Sequence, residues 1–216
     1  MTPNHADTTR RDEPASSAGA LSDLIGAGVR LLFVGVNPGL AAVAKQVPFA
    51  GRGNRFYRAL HLAEITDHVI GTAAGLDPAD REHLLACGIG ITSLVARATA
   101  SAEEVETTEL LAGATALRET VARVQPRVVA ILGITSYRVA FQQHSAGLGR
   151  QPNDLAGAQL WVVPNPSGRN ARASVTSLAA AYQEVAVAAG LFGSCNPGMS
   201  RPWLSCGSGP SVGAFG

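Results

Sequence analysis

The sequence predicts an α/β protein, a three-layer α/β/α sandwich with a short, mostly parallel central sheet of about four strands. Three observations support this fold class. Short apolar runs alternate with helical patterns along the chain. The segments between successive runs are long enough for helical crossovers, which parallel strands require. The strongest runs are apolar at consecutive positions, as expected for strands buried on both faces.

Four segments are predicted as strands, of which the second has the weakest pattern. They are 31–36, 88–95, 128–132 and 160–163.

Five helices are predicted around these strands, and most carry a start or stop signal. They are 54–63, 77–86, 101–124, 136–143 and 174–189. Asn54 is a candidate N-cap, and Pro78 follows Asp77 at the first helical position. Ser101 and Glu104 have the spacing of a capping box, and Gly190 closes the last helix.

The chain of 216 residues is interpreted as one globular domain between two tails. Residues 1–20 are polar and are expected to form a disordered N-terminal tail. Residues 193–216 are rich in Gly, Ser and Pro and are expected to form a flexible C-terminal tail. The domain at 21–192 lacks any apolar run near the ~18–20 residues of a membrane span, and the N-terminus lacks the apolar core of a secretory signal. A cytoplasmic protein is the expectation.

The net charge of +1 excludes a strongly basic DNA-coating protein but hides a local asymmetry. Residues 30–60 carry five basic residues and no acid, whereas residues 61–120 carry ten acids against three arginines. Residues 121–180 carry six arginines against one acid. The two basic segments would form a positive surface for a polyanion if they fold side by side. Otherwise, the charges simply scatter over solvated helices.

The cysteines and histidines predict neither disulfides nor a metal site. Cys87, Cys195 and Cys206 have no zinc-finger spacing and are one thiolate short of the four that an iron–sulfur cluster usually needs. Cys87 is predicted to be a small core residue. No two histidines stand four residues apart, so no metal or other cofactor is expected. The histidines are His5, His61, His68, His83 and His144.

One local pattern occurs twice and predicts a site. The strand at 31–36 is followed by Asn37-Pro38-Gly39, and the strand at 160–163 by Pro164-Asn165-Pro166. Ligands of open α/β sheets bind beyond the carboxyl ends of the strands, where two such loops can face each other. Ordinary turn chemistry is the alternative explanation, because Asn, Pro and Gly are common turn residues.

Several familiar catalytic motifs are missing. The sequence has no phosphate-binding P-loop, no dinucleotide-binding glycine motif and no nucleophile elbow. An amide such as that of Asn37 cannot accept a proton near neutral pH, but it can position a water. That suffices when the leaving group departs first, as in glycosidic cleavage through an oxocarbenium-like transition state.

Five ordered motifs over about residues 29–190 resemble the mismatch-specific uracil/thymine DNA glycosylases of the uracil-DNA glycosylase superfamily. They are Gly35-Val36-Asn37-Pro38-Gly39-Leu40, Pro48-Phe49-Ala50, Asn54-Arg55-Phe56-Tyr57, Gly90-Ile91-Thr92 through Arg97-Ala98-Thr99, and Val163-Pro164-Asn165-Pro166-Ser167-Gly168. The resemblance implies the same α/β fold. It also implies a monofunctional hydrolase that cleaves the N-glycosidic bond of uracil or a related damaged base in double-stranded DNA. No metal and no lyase lysine would take part.

The resemblance also assigns roles in base recognition. Asn37 would position the attacking water at C1′ of a flipped-out nucleotide, and Phe49 would stack on the base. Backbone N–H groups near Val36 and Phe49, together with the neighbourhood of Asn54, would bond the base edges and stabilise the departing anion. Ala42 would lie near the 5-methyl of thymine, where a small residue permits that base.

The loop at 165–172 would enter the duplex and replace the lost base. Its proposed members are Asn165, Pro166, Ser167, Gly168, Arg169 and Arg172. Arg169 stands where bacterial members commonly have an apolar residue, so the resemblance does not extend to a preference for an opposite guanine. Ser93 stands where related proteins often have a longer polar residue, so it is a minor helper at best.

Four arginines are expected near DNA phosphates. They are Arg52, Arg55, Arg169 and Arg172, with Arg55 the most readily explained as a helix-surface residue instead.

Three alternatives remain open from the sequence. One is a glycosylase for hypoxanthine, ethenocytosine or thymine, and another is a non-catalytic binder of mismatched DNA. The third is a small-molecule enzyme acting on free nucleosides, which the basic segments and the wedge-like loop disfavour. A monomer is expected, since such enzymes need one copy.

Overall fold

The sheet has five strands in the order β2-β1-β3-β5-β4, and the first four of these run parallel. The computed structural model describes residues 20–192, so the two predicted tails lie almost wholly outside the described residues. The strands are β1 (Leu31–Gly35), β2 (Ile89–Ser93), β3 (Val128–Leu132), β4 (Gly149–Arg150) and β5 (Gln159–Val163). In register, Leu31 of the central strand β1 pairs with Ile89 on one side and with Val128 on the other.

Helices cover both faces of this sheet, which confirms the three-layer prediction. They are α1 (Leu40–Lys45), α2 (Phe56–Leu62), α3 (Pro78–Ala86), α4 (Thr107–Val124), α5 (Ile134–Ala140) and α6 (Val175–Ala188). Helices α2, α3 and α6 pack on one face, and α4 and α5 pack on the other. None of the helices within residues 20–192 combines the length and apolar character needed to cross a bilayer.

Two apolar clusters hold the layers together because the side chains of each strand alternate between the faces. On the α2 and α6 face, Phe33 meets Phe56 edge-on, with ring centroids 5.2 Å apart, and Tyr182 at 5.1 Å. On the opposite face, buried Val34 packs with Leu117 and Val121 of α4. Cys87 is buried, as predicted for a small core residue.

The helix signals predicted at the start of α3 and at the end of α6 are confirmed. The carboxylate of Asp77 accepts a hydrogen bond of 2.8 Å from the Ala79 amide, and Pro78 occupies the first turn of α3. Ser174 and Ser177 cap α6 reciprocally, and Gly190 follows it with φ +68°. Both ends of α6 therefore lie within one residue of the prediction.

The structure departs from the predicted elements in three places. The helix expected over 101–124 is broken: Ser101 caps a 3₁₀ turn at Ala102–Glu104, and α4 starts after Glu106. The capping box belongs to Glu106 and Glu109, not to Ser101 and Glu104. In addition, α1 and the two-residue antiparallel edge strand β4 have no counterpart in the prediction, since both are too short to show a period.

Gly113 lets α4 approach the end of β2 closely. A Cβ on Gly113 would lie 2.2 Å from the carbonyl oxygen of Leu94. Backbone cannot yield as a flexible side chain can, so a larger residue would push α4 off the sheet.

We predict that Gly113→Ala destabilises the protein by about 2–3 kcal/mol through overpacking. The expected change in the free energy of unfolding is opposite to the usual one, since Gly→Ala inside a helix ordinarily stabilises by up to about 1 kcal/mol. Urea unfolding of both variants is the measurement. Ala112→Gly at the exposed neighbouring position is the control and should cost only about 1 kcal/mol. A Gly113→Ala protein as stable as the original would contradict the packing described.

Candidate active site

An open cleft of about 870 Å³ lies at the carboxyl ends of the parallel strands. This is the edge of a doubly wound sheet where ligands bind, because the connections from neighbouring strands diverge there. Nearly all of the predicted site residues line it, the exceptions being Pro166, Arg55 and Arg172. Those in the cleft are Val36, Asn37, Ala42, Phe49, Arg52, Asn54, Ser93, Asn165, Ser167, Gly168 and Arg169.

The amide of Asn37 is fixed by the loop that follows β2. Its Nδ2 donates to Thr99 Oγ1 at 2.7 Å, to the Arg97 carbonyl at 3.1 Å and to the Pro38 carbonyl at 3.2 Å. Carbonyl oxygens only accept hydrogen bonds, and the Thr99 hydroxyl already donates its proton to the Ser101 carbonyl at 2.6 Å. These partners settle which end of the amide is nitrogen. Oδ1 is the end left to accept a hydrogen bond in the cleft.

That loop is itself tied to the start of α4. Arg97 donates to both carboxylate oxygens of Glu109, at 2.8 and 2.7 Å, and to the Glu104 carbonyl at 3.0 Å. The Arg97 guanidinium lowers the pKa of Glu109 to about 2. The Glu109 carboxylate therefore has a structural role, since it ties this loop to the start of α4.

Phe49 forms one wall of the cleft. Its backbone has the left-handed φ of +60°, and its half-buried ring packs on Phe56 with centroids 4.1 Å apart. A side chain on Gly35 would meet the Phe49 ring at 3.3 Å and the hydroxyl of Ser93 at 3.5 Å. Phe49 and Ser93 thus both lie beside the end of β1, which suits a planar ligand stacked on the ring.

Asn54 offers a donor where Asn37 offers an acceptor. Its Oδ1 accepts the Phe56 amide at 3.0 Å, but the N-cap position of α2 is Arg55, one residue later than predicted. Asn54 Nδ2 has no hydrogen-bond partner among residues 20–192 and lines the cleft. The two amides therefore present opposite polarities to a ligand.

Val36 and Ala42 are both nearly buried at the cleft wall, with 7% and 4% of their surface exposed. The Val36 carbonyl accepts the Val95 amide at 2.9 Å, and the Ala42 amide donates to Gly39 at 2.9 Å in the first turn of α1. Their apolar side chains shape the wall of the cleft.

The loop after β5 is held in shape by its own asparagines. Asn165 Oδ1 accepts the Ser167 amide at 2.9 Å, and Asn170 Nδ2 donates to the Asn165 carbonyl at 2.9 Å. Gly168 packs on the opposite wall, since a Cβ there would lie 3.0 Å from the Gly53 carbonyl. The loop predicted as a wedge thus closes one side of the cleft.

Arg55 is the main anchor of this loop, which corrects its predicted role as a phosphate contact. Its guanidinium donates to the carbonyls of Ser167 and Ala173, and to those of Asn170 at 3.0 Å and Pro166 at 3.4 Å. The group is half-buried, and these carbonyls occupy the donors that a phosphate would need. A backbone hydrogen bond from Arg55 to Pro166 at 3.1 Å adds to the attachment.

The other three predicted arginines are exposed at or near the cleft rim. Arg169 reaches across the cleft, where its Nη1 donates to Ser101 Oγ at 2.8 Å. Arg52 lines the cleft, and the Arg172 amide donates to Asn170 Oδ1 at 3.3 Å within the wedge loop. Two basic segments far apart in sequence thus meet at one rim.

Sequence reasoning missed some residues of the cleft. Thr99 belongs to the motif that ends with Arg97-Ala98-Thr99, but its role in holding Asn37 depends on a hydrogen bond between residues 62 positions apart. Asp23 also lines the cleft and accepts the Thr92 hydroxyl at 2.8 Å. Burial raises the pKa of Asp23, although the hydrogen bond from Thr92 opposes that shift. No local pattern around either residue signals these positions.

The sequence also matches the model of a known protein family. The family model described as the uracil DNA glycosylase superfamily matches residues 23–186. The chain belongs to that superfamily, which implies a DNA glycosylase, a hydrolase of N-glycosidic bonds with DNA as its partner.

A solved structure shares the fold. It is the solution structure of a presumptive uracil DNA glycosylase from Methanosarcina acetivorans, 13% identical, with a TM-score of 0.50. The match covers 78% of this chain and 98% of that one. At this identity the likeness concerns the fold.

We predict that Arg55→Ala loosens the wedge loop. Removing the guanidinium leaves several carbonyls without their charged donor, at a cost of about 2 kcal/mol or more. Hydrogen exchange of the backbone amides at 167–173 should accelerate. Arg52→Ala removes the same charge from an exposed position and is the control, with unchanged exchange. Equal exchange in the two variants would refute the anchoring role.

The ion pair between Arg97 and Glu109 predicts a pH dependence of stability. A carboxyl whose pKa is lowered on folding stabilises the protein above its ordinary pKa of 4.5, and this is lost as pH falls toward about 2. The free energy of unfolding of the original protein should exceed that of Glu109→Gln above pH ~5, with the gap closing in acid. Glu119→Gln, an exposed acid on the same helix, is the control. A pH-independent gap would contradict the assignment.

Proposed function

We propose that the protein excises uracil from mismatched double-stranded DNA as a monofunctional glycosylase, leaving an abasic site. The observation that carries this proposal is the Asn37 amide, held by its nitrogen so that Oδ1 can accept a hydrogen bond in the cleft. An acceptor that cannot be protonated near neutral pH suits a water that attacks late, after the base has begun to leave.

The proposed reaction begins with extrusion of the nucleotide. Flipping costs a few kcal/mol and least for a mismatched pair, so a wobble pair such as G·U is partly selected already. Arg169, at the exposed tip of the loop held by Arg55, would fill the space that the base vacates. Its guanidinium would exchange the Ser101 hydroxyl for DNA.

In the cleft, the base would stack on Phe49 and bond at its edge to Asn54 Nδ2. As the C1′–N1 bond breaks, its electron pair passes to the uracil ring, and donors aimed at that charge lower the barrier. The water held at Asn37 Oδ1 then bonds to C1′ of the cationic sugar. The proton that the water loses balances the one that the uracil anion takes up.

In this proposal, two small side chains allow the cleft to accept more than one kind of base. Ala42 lies buried at the wall and adds no bulk against a 5-methyl group. Ser93 is too short to reach far into the cleft. We therefore extend the proposal to slower excision of thymine or another altered base. A single cleft contains every residue that the mechanism uses, which favours action as a monomer.

Single-turnover cleavage of end-labelled duplexes tests the proposal. The duplexes hold one G·U, A·U, G·T or G·hypoxanthine pair, and alkali reveals abasic sites. We expect cleavage at G·U, and Asn37→Ala should lower its rate by about 10²-fold or more because the water loses its anchor. Thr99→Val, which frees the amide to rotate, should cost roughly tenfold, equivalent to about 1.4 kcal/mol.

The control is Asn153→Ala, an exposed asparagine outside the cleft, which should cleave at the original rate. If the protein binds mismatched DNA but cleaves none of the duplexes, the proposed enzyme activity is wrong and the protein is a non-catalytic binder. Cleavage confined to hypoxanthine or another base would keep the mechanism and reassign the substrate. Cleavage of free nucleosides with no salt-sensitive DNA binding would refute the DNA substrate.

A further inference from the structure

Two histidines and two aspartates form a cluster away from the cleft. Asp67 and His68 lie beyond the carboxyl end of α2, while Asp80 and His83 belong to the first two turns of α3. The chain between the helices folds back on α3, so that the His68 and His83 rings lie 5.1 Å apart and 33° from parallel. None of the four residues lines the cleft.

Three ligand atoms of this cluster converge on one point. Asp67 Oδ1 lies 2.5 Å from His68 Nδ1 and 3.2 Å from His83 Nε2, and the three atoms lie within 4.8 Å of one another. In a tetrahedral zinc site with bonds of about 2.0–2.1 Å, neighbouring ligand atoms lie about 3.3 Å apart. Small side-chain adjustments would therefore admit a metal ion between them.

Asp80 supplies the outer contact that metal-binding histidines usually have. Its Oδ1 lies 2.6 Å from His68 Nε2, the ring nitrogen that faces away from the other ligand atoms. Both ring nitrogens of His68 therefore face a carboxylate, since Asp67 Oδ1 lies at hydrogen-bond distance from Nδ1. A metal ion would take the place of the proton between Asp67 and Nδ1, while Asp80 would hold the proton on Nε2. Metal binding would release the proton from Nδ1, and the divalent cation would then balance the charge of the two carboxylates.

We propose that Asp67, His68 and His83 bind a divalent transition-metal ion, with Asp80 positioning His68. Two imidazoles and one carboxylate suit zinc, cobalt or nickel, whereas magnesium and calcium prefer oxygen ligands. Asp67 and His68 are exposed, so water can occupy the remaining coordination position.

The bound ion has a structural role in this proposal. It joins the segment between α2 and α3, which contains no helix or strand, to the body of α3. Because the ligands lie outside the cleft, metal binding stabilises the fold and leaves the glycosidic chemistry unchanged. The inference is independent of the proposed substrate.

Metal titration of the full chain tests the site. Calorimetry should show one saturable zinc site, and cobalt should give the visible absorption of low-coordinate nitrogen and oxygen ligation. Zinc at 100-fold its Kd should raise Tm by about 5 °C or more, and magnesium should not. His83→Ala should abolish all three signals, whereas Asp80→Asn should weaken binding about 10-fold or more.

Two controls separate this site from other ligands. His144→Ala removes an exposed histidine elsewhere and should bind zinc normally. A variant with His5→Ala, Cys195→Ser and Cys206→Ser removes candidate ligands outside the described residues and should also bind normally. If His83→Ala misfolds, Asp67→Ala in the exposed segment replaces it. Retained binding in His83→Ala and Asp67→Ala, or loss in the terminal variant, would overturn the proposal.

Discussion

The candidate site depends on the hydrogen bonds that hold the nitrogen of the Asn37 amide. Parallel pairing of β1 with β2 brings the chain after one strand beside the chain after the other. The Asn37 amide at the first end then meets Thr99 and the Arg97 carbonyl at the second. Each partner can only accept from it, so one orientation of the amide is selected and an acceptor is left for the cleft.

The opposite wall is organised by the half-buried guanidinium of Arg55 instead of by the sheet. Arg55 at the start of α2 donates hydrogen bonds to several carbonyls of the loop after β5, so arginines of the same basic segment have different roles. Arg55 gives the loop its shape, and Arg52 and Arg169 stay at the rim with exposed charge. An uncharged pair of amides inside, with arginines outside, suits the proposed function, in which a polyanion binds and a bond is cleaved without a strong base.

Much of the fold could be read from local pattern. Consecutive apolar residues identify β1, β3 and β5 because a strand covered on both faces has no polar side, and Asp77 with Pro78 marks the start of α3. Asn37 could be singled out because it follows such a strand. The short helix α1 and the break before α4 could not be predicted, since Val105 and Glu106 take extended backbone to let Glu109 cap the helix and pair with Arg97.

The sequence alone therefore determined the layers, the strand ends and the residue types available there, because periodicity and turn chemistry act over a few residues. Only the tertiary structure decided what those residues contact. It turned Arg55 inward to carbonyls more than a hundred positions away, assigned the two ends of the Asn37 amide, and placed His68 beside His83. Such contacts join segments far apart along the chain, and their geometry exists only once the helices and strands have packed.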